Sequence, residues 1–131
     1  VTGAGAGAEV GSAVVPLVVQ LVQFDGPRSQ RHVEASQRAS RERITPLVEA
    51  HPELRDGLLG GLRCVAPDGG ECLVVIARDA AALDALAALA TGSELLPGED
   101  PALLPGPDRV LRYDRVEVRG RFADALVEVS R

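Results

Sequence analysis

The chain has 131 residues, 46% of them hydrophobic, and a net charge of -5, which suits one globular domain that buries roughly two-thirds of its unfolded surface. All fourteen basic residues are arginines. The acidic balance excludes a nucleic-acid or anionic-membrane surface, which needs clustered positive charge, and the absence of lysine excludes a P-loop or Schiff-base lysine.

In chain order, VTGAGAGAEVGSA opens the sequence. It lacks the basic start of a secretory signal. Its GAGAG has no preceding strand or following helix to make it a dinucleotide loop, so residues 1-13 read as a flexible leader. The segment VVPLVVQLVQF at 14-24 falls short of the roughly 20 apolar residues of a membrane span and carries Pro16, Gln20 and Gln23. It reads as a first, buried strand, closed by the turn Asp25-Gly26-Pro27. Without a signal or a span, and with codon-biased composition, a cytoplasmic bacterial setting is the default expectation.

From Arg28 to about His51 the periodicity is helical, with Val33, Ser36, Gln37, Ser40, Ile44, Leu47 and Val48 on one face. Pro46 removes a backbone donor inside that run, which predicts a kink there or a second short helix capped by Thr45. The stretch GGLRCVAPDGGECLVVIARD is a hairpin of two antiparallel strands around Pro-Asp-Gly. A three-residue loop sets Cys64 opposite Cys72 on one face; a four-residue loop puts them on opposite faces. Neither register makes a CxxC or a Cys/His cluster, so the thiols are expected to be free and no metal site is expected.

Asp79 caps a second helix, AAALDALAALA, with Leu83, Leu86, Ala87 and Ala90 in one stripe and Gly92 at its end. The phrase Leu-Leu-Pro-Gly-x-Asp then occurs twice, eight residues apart, in a loop over 92-108. The offset is too short for a repeat architecture. The leucines are expected either to cap an open edge of the core or to form a lid, with Glu99, Asp100 and Asp108 as turn and solvent groups. RVLRYDRVEVR at 109-119 is a partly exposed fourth strand, and 120-131 is a C-terminal tail.

The domain over 14-119 is thus α+β with element order βαββαβ. Two right-handed crossovers give a ferredoxin-like, four-stranded antiparallel sheet in the order 4-1-3-2 with both helices on one face. The two central strands are apolar on both faces, so the uncovered face calls for a partner, most simply a second copy of the chain.

In this order of elements the chain resembles the dimeric α+β barrel superfamily, and within it the antibiotic-biosynthesis monooxygenase group. The resemblance implies a homodimer stacked sheet to sheet, with a cavity between helices and sheet for a hydrophobic or aromatic small molecule and chemistry without metal or organic cofactor. Active members use Trp, His, Asn and Tyr around that cavity. Here Trp and Asn are missing, so no catalytic residue is carried over by position.

From the residues themselves, Gln20, Ser36, Gln37 and Ser40 interrupt apolar faces and are candidates to line a ligand cavity. The alternative is that the serines bond back to helix carbonyls. His32 is a candidate general base for an acidic phenol, and His51 lies at the helix end beside Pro52; solvated or capping roles are the alternatives. Tyr113, the only tyrosine, is a candidate catalytic or positioning hydroxyl if it points inward. Two readings follow: a cofactor-free monooxygenase-like or cyclase-like enzyme, or a non-catalytic ligand-binding or assembly protein.

Overall fold

The computed structural model describes residues 12-122 and 124. The expected leader and tail lie largely outside them. Pro16 divides the first apolar segment, since it fixes φ and offers no amide proton to a ladder. Strand β1 (Ser12–Val15) therefore stops before it, and β2 (Val18–Phe24) begins after Leu17. Ser12 and Ala13, expected in the leader, belong to β1. The last expected strand divides in the same way at Asp114 and Arg115, into β5 (Arg109–Tyr113) and β6 (Val116–Arg119).

The two interruptions face each other. β2 pairs with β5 from Val19 opposite Tyr113, and β1 pairs with β6 from Val15 opposite Val116 to Ser12 opposite Arg119. One long antiparallel ribbon thus bends into two sheets. Its two-stranded end buries Val15, Leu17 and Val118 against Leu59, Ile76 and Val116.

The main sheet adds β3 (Leu58–Val65) and β4 (Glu71–Ala77), and all its pairings are antiparallel, in the order β3-β4-β2-β5. Taken from the β5 edge, the four strands read from sequence run fourth, first, third, second. The fold is α+β and compatible with a ferredoxin-like arrangement. Between β3 and β4, Ala66 N–H donates to Gly70 O at 2.7 Å and Gly69 N–H to Ala66 O at 2.9 Å. This is the three-residue loop, and it sets Cys64 opposite Cys72. Both cysteines are free.

Helix α1 (Gln30–Arg38) starts at Ser29, whose Oγ accepts from the His32 N–H. It runs into a widened π-helical turn, Ala39–Ile44, and on into α2 (Thr45–Glu49). The helix neither stops nor takes Thr45 as a cap at Pro46, as one sequence reading had it. Thr45 is helical, and its N–H reaches back five residues to Ser40 O. The widened turn accommodates a proline ring that would crowd the carbonyl four residues back in a regular helix. Pro52 opens α3 (Pro52–Gly57), and Asp79 caps the alanine-rich α4 (Ala80–Gly92) through the Ala82 N–H at 2.9 Å.

Both α1 and α4 lie on one face of the main sheet. Register places Val18, Gln20, Arg63, Glu71, Val75 and Ala77 on that face. Ala82 and Leu83 of α4 pack there on Ala77, Val18, Leu58 and Val75, and Ser36 of α1 bonds to Glu71. The opposite face carries Leu21, Leu62, Cys64, Cys72, Val74, Leu111 and Tyr113. No helix covers it.

Two glycines separate backbone constraint from mere flexibility. Gly69 has φ 90°, and a Cβ there would run into the Arg28 carbonyl oxygen, whereas Gly106 has open space around it and no positive φ. Gly69→Ala is expected to cost about 1 to 3 kcal/mol, and Gly106→Ala to stay within about 0.5 kcal/mol. Leu83→Ala, which empties a fully buried site, is expected to cost about 2 to 5 kcal/mol. Denaturant unfolding of the three variants checks all three values.

Candidate functional site

Glu71, the first residue of β4, is buried beneath α1, its side chain fully inaccessible. A buried carboxylate must be both paired and hydrogen-bonded, and four donors serve this one. Oε1 accepts from Arg28 Nη1 at 3.2 Å and Arg63 Nη2 at 3.3 Å, and Oε2 from Arg63 Nε at 3.0 Å and Ser36 Oγ at 2.9 Å. The same Arg63 Nη2 also donates to Val33 O at 3.0 Å. Arg28 lies over the Phe24 ring, 5.0 Å from its centroid, and its backbone N–H donates to Asp68 O in the hairpin loop.

A second network lies on the same sheet face. Arg112 Nε donates to Gln20 Oε1 at 2.8 Å, and its Nη1 to Asp84 Oδ1 of α4 at 2.7 Å. Ser36 and Gln20, two candidate cavity residues, thus find protein partners between helix and sheet. Gln37 is exposed on α1, and Ser40 is half-buried in the π turn.

The remaining candidates lie apart. His32 sits in the first turn of α1 with Nδ1 2.7 Å from Ser29 Oγ. His51 precedes α3 and has Nδ1 2.7 Å from Leu47 O, a bond that requires the proton on Nδ1. Tyr113 pairs with Val19 rather than Gln20, so it faces away from the helices and is 49% exposed. His32, Tyr113 and Gln20 do not converge on one volume.

Sequence reasoning passed over the loop's own charge. Arg43 Nε donates to Glu99 Oε1 at 2.8 Å and Arg43 Nη1 to Ser93 Oγ at 2.6 Å, while Arg38 Nη2 donates to Pro97 O at 2.9 Å. The Leu96 N–H adds a bond to Glu99 Oε1 at 2.7 Å. Glu99, expected as a turn or solvent group, has a side chain only 2% exposed. Asp100 and Asp108 act locally, Asp100 on the Ala102 N–H and Asp108 on the Asp25 N–H. Leu95 is 40% exposed, and Leu96, Leu103 and Leu104 are half-buried. Arginine contacts hold this loop as much as its leucines do.

Two cavities are open among the described residues. One of about 440 Å³ lies at the hairpin end of the sheet, lined by Gln23, Phe24, Cys64, Asp68, Cys72 and Arg109 among others. The second, about 230 Å³, lies between α1 and the loop, with Arg31, Ala35, Arg38, Glu99, Leu103 and Leu104 in its wall. Among the described residues, no three His, Cys, Asp or Glu side chains group as metal ligands, and no helix is long and apolar enough to cross a membrane. The sequence matches no protein-family model and no curated protein.

Two tests follow from these charges. Glu71→Ala leaves Arg28 and Arg63 without their shared anion and is expected to cost about 3 to 5 kcal/mol, against at most about 0.5 kcal/mol for Glu42→Ala in the exposed pair with Arg38. Burial pushes the Glu99 carboxyl up, but the Leu96 N–H and the Arg43 and Arg38 guanidiniums outweigh it and hold it below the ordinary 4.5. A carboxylate whose folded value is depressed adds stability above its unfolded value and loses it as pH falls through the folded one. Glu99→Gln is therefore expected to destabilise at neutral pH, with the gap to the parent closing below pH 4.5. A gap that stays constant down the acid series, measured by denaturant unfolding, contradicts this.

Proposed function

We propose that the chain is a ferredoxin-like assembly module whose uncovered sheet face stacks on that of a second copy, giving a homodimeric α+β barrel. The observation that carries this reading is the face itself. Leu62, Leu111 and Tyr113 are 60%, 38% and 49% exposed there, and Leu21 and Val74 lie between them. Among the described residues only eight hydrophobic side chains are buried, a small core that another apolar layer would extend.

A second copy suits the surface because a two-fold interface must complement itself. Its strands carry uncharged side chains there except Arg109 at the rim, so copies do not repel. Four strands about 4.8 Å apart, with about seven residues at about 3.3 Å each, make a face of roughly 19 by 23 Å. Over two copies this is roughly 900 Å² in projection and more in accessible area, near the 1,200 Å² or so at which specific interfaces begin.

The resemblance to antibiotic-biosynthesis monooxygenases suggests a cofactor-free reaction on a hydrophobic or aromatic molecule between helices and sheet. Here Gln20 and Ser36 of that layer are already bonded to Arg112 and Glu71, and His32 and Tyr113 lie apart. These placements favour the non-catalytic reading.

Sedimentation at tens of micromolar is expected to give twice the 13.7 kDa of the chain. Leu62→Glu with Leu111→Glu is expected to weaken association by more than about 100-fold, since each buried charge opposes several kcal/mol of contact, and to leave helix content unchanged. A parent protein that sediments as a monomer overturns the proposal.

A further inference from the structure

We propose that Cys64 and Cys72 are a redox-active dithiol, closed to an intrachain disulfide by exchange with a low-molecular-weight disulfide. The two residues stand directly opposite each other on β3 and β4, and both are free. Ala66 N–H donates to Gly70 O at 2.7 Å, which makes those two residues a hydrogen-bonded pair. Bonded and non-bonded pairs alternate along an antiparallel ladder, so Cys64 and Cys72, two positions further in, form a bonded pair too, with Cα atoms about 5.5 Å apart. Disulfides span about 4.4 to 6.8 Å between Cα atoms, and residues directly opposite each other project from the same face of a sheet. The hairpin is held in this register from outside as well. Gly69 has φ 90° and lies against the Arg28 carbonyl, and Arg28 N–H donates to Asp68 O at 2.8 Å.

Both thiols are also within reach of a small reagent. Cys64 is exposed and Cys72 half-buried, and both line the open cavity of about 440 Å³ at the hairpin end of the sheet. That difference in access sets the order of steps. The Cys64 thiolate attacks one sulfur of the small disulfide, whose S–S bond breaks and releases a first small thiolate. The Cys72 thiolate then attacks Cys64 Sγ, breaking the mixed disulfide and releasing the second. The protein loses two electrons and two protons, and the reagent ends as two thiols. The new bond closes a short loop that the hairpin has already closed, so it adds little stability. Its exposure leaves it open to attack by a returning thiol, which makes it a reversible couple rather than a structural clamp. Both sulfurs belong to one chain, so the couple does not depend on whether the uncovered face stacks on a second copy.

The test incubates the reduced full chain with oxidised glutathione, quenches with iodoacetamide and reads the intact mass. The parent is expected to lose two hydrogens and to take up no iodoacetamide, and dithiothreitol is expected to restore both thiols. Cys72→Ser, shown to be folded by its thermal melt, is expected to stop at the glutathione adduct of Cys64. The same adduct on the parent is expected to be at least about tenfold less abundant, because the opposing thiol acts at an effective concentration of millimolar or more. Leu62→Glu with Leu111→Glu, which opposes stacking of copies, is expected to form the same intrachain bond, so failure of the dimer and failure of the couple give separate results. A parent that accumulates the adduct as Cys72→Ser does, a covalent dimer in place of the intrachain bond, or thiols that stay reduced would each overturn the proposal.

Discussion

A carboxylate taken out of water must be met by charge and by hydrogen bonds together, and at Glu71 that requirement organises half of the molecule. Its donors come from the loop before α1, from α1 itself and from β3, so three pieces of chain that are distant in sequence meet at one side chain. The arrangement sets where α1 lies over the sheet and holds the hairpin loop against Arg28, whose backbone bonds Asp68 O. Apolar contact alone is thin here, for the buried side chains packed on the sheet beneath α4 are mostly alanine with one leucine. Such a network contributes specificity of packing more than net stability, because its Coulomb gain is largely offset by desolvation.

Arginine is suited to this work. Its planar fork lets Arg63 reach both Glu71 oxygens and a helix carbonyl at once, and Arg43 bridge the end of α4 and Glu99. A lysine at either place would provide a point charge without the fork. The loop after α4 illustrates the result. Its twin Leu-Leu-Pro-Gly phrases share a turn vocabulary but not an environment, since Glu99 after the first is buried and paired while Asp108 after the second is exposed and merely caps a strand end.

The order of strands and the site of each main helix were legible because they rest on local signals: β-branched runs, the Pro-Asp-Gly turn and the Asp79 cap. The breaks at Pro16 and at Asp114-Arg115 were not. Pro16 alone permits an edge strand as well as a bend, and only the facing interruption in the partner strand turns it into a corner. The polar residues were read as cavity lining because a sequence does not show what stands opposite. Ser36 meets Glu71 and Gln20 meets Arg112 only after the sheet is assembled. One clue was available in the hairpin. The three-residue loop, left open beside the four-residue one, puts Arg63 and Glu71 on the same face, and two opposite charges flanking an apolar strand position there announce an ion pair rather than edge solvation.

The bent ribbon has a topological corollary. Because Ser12 lies opposite Arg119, the first and last of the described strands begin and end at adjacent points, about 5 Å apart as paired strands are. A unit whose ends meet in this way can be spliced into a surface loop of another protein without prising that loop open, or have its ends joined and be reopened elsewhere. The exposed segment around Gly106, where an added side chain would meet nothing within 4 Å, is the natural place to reopen it. Such a rearranged chain would retain every strand pairing while reversing which elements leave the ribosome first, separating the contribution of chain order from that of the finished contacts.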